Sequence, residues 1–229
     1  DELYRGMKQL AQLYSVNILG GDTTSSKTDL IINVAVTGAA KKNNILYRNT
    51  AKAGDAIYCT GFLGDSRAGL DFILQNKNPQ HDYEKELLHA HTLPRPHVEE
   101  GLFLSNTGAV HSCIDVSDGL SSDLMHIAEE SNVGFIVDEK SIPISPQLQQ
   151  YCDDNALNAI DYALSGGEDY VLVCTVDEKT SLQLEKNFYN TFNRAIYKIG
   201  IITHDKNYVM KKRDGSLINI KPGGWDHCA

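Results

Sequence analysis

Apolar positions recur at helical spacing from the start of the chain. Leu3, Met7, Leu10 and Tyr14 share one face and predict a helix over 2–14. A short apolar run from Val16 to Leu19 then meets Gly20-Gly21-Asp22. Residues 30–37 (LIINVAVT) are rich in β-branched side chains and predict a strand. Lys41-Lys42-Asn43-Asn44 interrupts the pattern and marks a domain boundary, dividing the chain into 1–43 and 44–229. Beyond it, Ala56 to Thr60 reads as a short buried strand and 65–75 as a helix with Leu70 and Leu74 on its inner face. Helices are predicted near 83–91 and 97–106, separated by Pro94 and Pro96. Ser112 to Asp115 reads as a strand running into a turn. In the helix that follows, about 119–131, Leu120, Leu124, Ile127 and Ala128 form an apolar stripe.

Further along, Val133 to Val137 predicts a strand, 145–163 a helix, Asp169 to Val176 a strand, 178–190 a helix and 195–202 a strand. Arg213-Asp214-Gly215 predicts a hairpin turn. Alternating strands and helices give an α+β class, an α/β-like mixed sheet with flanking helices.

Composition narrows the function. The formal net charge is −9 and the pI about 5.3, which argues against a nucleic-acid partner. An acidic chain still binds phosphates where divalent metals sit between carboxylates and ligand. No apolar run approaches the ~20 residues that span a bilayer, so no membrane role is expected. The opening DELYRGMKQL carries no signal peptide and starts directly in a helical pattern, as the middle of a longer sequence would. Five cysteines, an odd number without CxxC, are simplest as buried thiols of a cytoplasmic protein.

No P-loop, GxGxxG or nucleophile elbow is present. Candidate chemistry sits instead in acidic, glycine-rich turns. Leu19-Gly20-Gly21-Asp22-Thr23-Thr24 offers open backbone beside a metal-binding carboxylate, or a tight turn whose Asp bonds its own backbone. In Ile114-Asp115-Val116-Ser117-Asp118-Gly119-Leu120 two acids converge where a strand meets a helix N-terminus. A helix cap explains Ser117 or Asp118, whereas Asp115 inside an apolar strand end implies a compensating ligand. Leu164-Ser165-Gly166-Gly167-Glu168-Asp169-Tyr170 places a glycine pair before two acids, a substrate contact or a solvated β-turn. Thr60-Gly61-Phe62-Leu63-Gly64-Asp65-Ser66 is a phosphate nest or a plain strand–turn–helix link. Arg48 is a phosphate clamp or a surface charge, and Trp225 a packing anchor or an aromatic lid. His89, His91 and His97 lack the companions of a zinc site.

Taken in order, GGDTT, LYRNTAKAGDAIYCTGFLGDS, RP-x-V, IDVSDGLSSDL, ALSGGEDYVL and GGWDH resemble the thiamine-monophosphate kinase family through nearly the whole chain. More broadly, they resemble the aminoimidazole-ribonucleotide synthetase-like superfamily. The resemblance implies the C-terminal domain of that architecture over 44–229, with 1–43 a remnant of the N-terminal ATP- and Mg-binding domain. It implies transfer of the ATP γ-phosphoryl to thiamine monophosphate with several Mg²⁺ ions, in a cytoplasmic homodimer. Carried onto this sequence, Asp22, Asp115 and Asp118 are metal ligands, and Gly21, Asp22, Arg48 and Ser117 bind ATP. Glu168 and Trp225 contact the thiamine substrate. The family's paired-Asp segment and NxSD motif do not occur here, so the chain alone is expected to be inactive. Another ATP-dependent synthetase of the superfamily, or a non-catalytic nucleotide-binding domain, are the alternatives.

Overall fold

The computed structural model describes residues 2–223. They divide into two compact units, 1–41 and 42–229.

In the first unit, α1 spans Glu2–Leu13, and none of its residues is buried. The strand expected over 30–37 does not form, and Leu30, Ile31, Val34 and Val36 are exposed. A β-rich stretch becomes a strand only when a neighbour pairs with its N–H and C=O groups. None of the described residues of this unit supplies one.

The second unit is built on one sheet. Among the described residues its strands are β1 Ala56–Cys59, β2 Val110–Asp115, β3 Gly134–Asp138, β4 Leu172–Val176, β5 Tyr197–Thr203, β6 Tyr208–Lys211 and β7 Leu217–Asn219. Their order is β2-β4-β1-β5-β3-β6-β7, antiparallel except for the β3–β6 pair. The β6–β7 pairing closes the hairpin predicted at Arg213-Asp214-Gly215. Every residue of β1 is buried, as its unbroken apolar run requires of a strand covered on both faces. Ile57 and Cys59 pack under the helix α5, Leu120–Ser131. Ala56 and Tyr58 pack against Leu104 of α4, Val98–Thr107, and Phe188 of α8, Ser181–Phe192. The stripe Leu120, Leu124, Ile127 and Ala128 is buried throughout.

A satellite core holds α2 Asp65–Leu74, α3 Asp82–Thr92, α6 Pro146–Asp154 and α7 Ala159–Ser165. Here two expectations are corrected. The helix predicted over 145–163 is two helices, interrupted by Ala156 with φ 53°. Each begins at its own cap: Ser145 Oγ accepts from Leu148 N–H at 2.9 Å, and Asn158 Oδ1 from Ile160 N–H at 3.2 Å. Such caps are worth ~1 kcal/mol each. The inner face of α2 is not the leucine face either, and Leu74 is 70% exposed. Ala68, Gly69 and Phe72 face inward instead, because a Cβ on Gly69 would collide with the Leu87 carbonyl of α3. Close helix contact selects small residues over large ones there. Among the described residues no helix is long and apolar enough to cross a membrane.

Candidate functional site

The two acidic motifs of the second unit meet at one end of the sheet. Strands β2 and β4 pair antiparallel up to Asp115 and Leu172, and the pairing continues beyond both strands. Val116 N–H donates to Val171 O at 2.8 Å, Tyr170 N–H to Val116 O at 3.0 Å, and Glu168 N–H to Ser117 O at 2.8 Å. The 116–119 turn thus lies backbone to backbone against the 165–170 turn. Glycine is required on both sides of that contact. A Cβ on Gly167 would collide with the Ser117 carbonyl, and one on Gly119, where φ is 117°, would sit 2.9 Å from the Leu164 carbonyl.

One side chain shapes the first turn. Asp123, 1% exposed, accepts on Oδ2 from the N–H groups of Ser117, Asp118 and Gly119, each at 3.1 Å. Burial pushes its carboxyl up to about 6 even against the hydrogen bonds from Asp118 and Gly119, and the charges of Asp118 and Asp115 add to the rise. Neither Ser117 nor Asp118 caps α5: the N-cap is Gly119, which has no side-chain bond to give.

Asp115 differs from the sequence argument. It is exposed, because it ends an edge strand of the sheet, so no desolvation cost demands a ligand there. The buried carboxylate is Asp123, which the sequence reading missed. The signal was available, since Asp123 lies three residues after Leu120, on the buried side of α5.

Around this turn negative charge accumulates. Burial, then the charges of Glu168, Asp115 and Asp118, raise the Tyr170 phenol, so all three carboxylates act on the same side chain. Among the described residues neither Asp115 nor Asp118 forms an ion pair with Lys or Arg. Glu168 lies 3.5 Å from His91 Nδ1. Asp118, Asp123 and His126 each offer a ligand atom within 4.8 Å of the others, a donor set open to a cation. His89, His91 and His97 form no such group among the described residues. His91 meets Ser66 Oγ at 3.0 Å and His97 meets Thr60 Oγ1 at 2.6 Å.

Other predicted residues lie elsewhere. Arg48 pairs with Glu130 at 2.6 Å, at the C-terminal end of α5. At 1.5 Å per residue, the 12 residues of α5 separate it by roughly 18 Å from the end that carries Asp118. Gly21 and Asp22 belong to the first unit, exposed, with Asp22 Oδ1 accepting from Thr23 N–H at 2.8 Å. Trp225 lies outside the described residues, but the chain leading to it is anchored: Gly223 N–H donates to Ser121 Oγ at 3.2 Å, beside the 116–119 turn. The Gly61–Ser66 segment is a plain link, since Asp169 already occupies the amides of Gly64 and Ser66. Cys59, Cys113, Cys152 and Cys174 are free thiols. Cys228 lies outside the described residues.

The chain is similar in sequence and fold to known proteins. Residues 52–212 match the family described as AIR synthase related protein, C-terminal domain. A thiamine-monophosphate kinase of Bacillus subtilis (strain 168) is 34% identical over 98% of this chain and 68% of that protein. Its counterpart in Escherichia coli (strain K12) is 36% identical over 96% of this chain and 66% of that protein. The solved structure of AaThiL complexed with AMPPCP and TMP superposes with a TM-score of 0.78 at 28% identity, covering 98% of this chain and 66% of that one. The chain therefore spans about two thirds of the length of these relatives. With the domain matched over 52–212 and the kinases over nearly the whole chain, the chain belongs to the thiamine-monophosphate kinase family.

Proposed function

We propose that the protein transfers the γ-phosphoryl of ATP to thiamine monophosphate, forming thiamine diphosphate. The observation that carries this reading is the backbone pairing of the two turns, which gathers Asp115, Asp118, Glu168 and Tyr170 at one sheet end. The named ligands of the AaThiL complex, AMPPCP and TMP, support the choice of substrates.

The chemistry suits an acidic site without a base. The attacking group is a phosphate oxygen, already mostly ionised near neutrality because its second pKa is ~6. The obstacle is the approach of two polyanions. Hard oxygen donors free of Lys and Arg fit Mg²⁺, and Asp115 and Asp118 would hold it; Asp22, in the first unit, is a further candidate metal ligand. Bound there, Mg²⁺ would supply positive charge that offsets the repulsion of the two polyanions. The Asp123 carboxylate fixes the turn that presents Asp118 and Ser117, and Ser117 contacts ATP. Arg48 and Gly21 bind ATP. Glu168 faces the cationic thiazolium, and Trp225, just beyond the Gly223 anchor, stacks on a thiamine ring. In this reading 1–43 belongs to the ATP- and Mg-binding N-terminal domain and 44–229 is the C-terminal domain, in a cytoplasmic homodimer.

The test incubates the chain, joined to the part of the Bacillus subtilis relative that it does not span, with Mg-ATP and thiamine monophosphate. Thiamine diphosphate is quantified. Product is expected, with kcat lowered at least ~100-fold by Asp115→Asn or Asp118→Asn. Residues 1–229 alone, assayed in parallel, are expected to form none. A joined protein that folds and binds Mg-ATP yet makes no thiamine diphosphate overturns the reading.

A further inference from the structure

The turn that carries Glu168 is held in a conformation its residues do not favour. Glu168 and Tyr170 both have positive φ, 63° and 51°, in the left-handed region where a side chain is strained. Between them the half-buried Asp169 turns its carboxylate to the start of α2. Its Oδ2 accepts from Gly64 N–H at 2.7 Å and its Oδ1 from Ser66 N–H at 3.3 Å. Those amides open α2, so a carboxylate of the chain occupies the anion-binding end of a helix. Two further bonds hold the residue after it: Tyr170 N–H to Val116 O at 3.0 Å and His97 N–H to Tyr170 O at 3.3 Å. The strain at Glu168 and Tyr170 persists because their common neighbour is tied down.

We propose that Asp169 is a positioning residue: by binding the N-terminal amides of α2 it fixes the left-handed turn that presents Glu168 and Tyr170 to the thiamine substrate. Asp169 touches no substrate itself. The proposal rests on the functional reading above for the identity of that substrate, and on the geometry alone for the clamp.

Two experiments separate these. In residues 1–229 alone, backbone amide exchange is compared between wild type and Asp169→Ala. Faster exchange by tenfold or more at Glu168 and Tyr170, as well as at Gly64 and Ser66, is expected. Unchanged protection at Glu168 and Tyr170 overturns the clamp whatever the enzyme does. In the kinase assay, Asp169→Ala is expected to raise KM for thiamine monophosphate tenfold or more while KM for ATP changes less than twofold. Added formate, filling the vacated amides, is expected to lower that KM again. Equal losses in both KM values, or no response to formate, contradict positioning. Should the alanine variant fail to fold, Asp169→Asn, which keeps one acceptor oxygen, is expected to give a smaller rise in the same KM alone. An unchanged KM in that folded variant overturns the proposal, whereas a wild type that makes no product overturns only the function.

Discussion

At the scale of single residues, the sheet end is governed by which carboxylates are buried. Asp115 was read from the sequence as the costly one, and it is exposed on an edge strand. Asp123, buried, and Asp169, half-buried, bear the cost instead, and backbone N–H groups offset only part of it. Sequence showed the acids but not their depth, because depth depends on which strand becomes the edge. A pH dependence follows for Asp169. Burial outweighs the amides of Gly64 and Ser66, and the nearby Asp65 adds to it, so the carboxyl is pushed up to about 7. An unfolded aspartate titrates near ~3.9. Between those values the folded chain holds a proton that the unfolded chain releases. The group's contribution is therefore fully present below about pH 4 and lost as pH rises through 7. Asp65, raised to about 6, acts in the same direction. His97, which burial lowers to about 4, acts in the opposite one, so the comparison must isolate Asp169. Wild type is expected to lose stability relative to Asp169→Asn between pH 5 and pH 8, read from urea midpoints. An equal difference at both pH values would contradict this.

At the scale of elements, the legible parts were those that local pattern controls. The stripe of α5 and the unbroken apolar run of β1 were read correctly, because 3.6-residue periodicity and two-sided burial leave direct traces in sequence. The 30–37 strand was not, since pairing needs a partner that propensity does not supply. The split between α6 and α7 was hidden by an apolar pattern that continues past Ala156. Least legible was the meeting of the 116–119 and 165–170 turns, which involves residues distant in sequence and bonds of the backbone alone. Both turns stand out in the sequence as candidates, and only topology joins them. Gly167 tests that junction. Its Cβ would meet the Ser117 carbonyl, so Gly167→Ala must force the turns apart. A loss of about 1–3 kcal/mol is expected, as for other overpacked sites. The same variant should weaken thiamine monophosphate binding, measured by calorimetry, because Glu168 follows directly. A variant with wild-type stability and binding would show that the turns separate without consequence.

At the scale of the whole molecule, burial is unevenly shared between the two units. The buried apolar core begins at Ala51 and ends at Met210, entirely within the second unit. The first unit contributes an amphipathic helix with no buried residue and a run of exposed β-branched side chains. Cooperative unfolding is driven by buried apolar area, and the denaturant slope m scales with the surface exposed. Residues 42–229 alone are therefore expected to unfold with the urea midpoint and m-value of the whole chain. A lower midpoint would mean that the first unit supports the core. The same deletion separates the ligands functionally. It removes Gly21 and Asp22 but leaves the paired turns, the Asp123 and Asp169 anchors and the Gly223 contact with Ser121. If the proposed roles hold, residues 42–229 keep the affinity of the whole chain for thiamine monophosphate while their affinity for Mg-ATP falls. Loss of both together would place part of the thiamine site in the first unit, and loss of neither would remove Asp22 from the list of metal ligands.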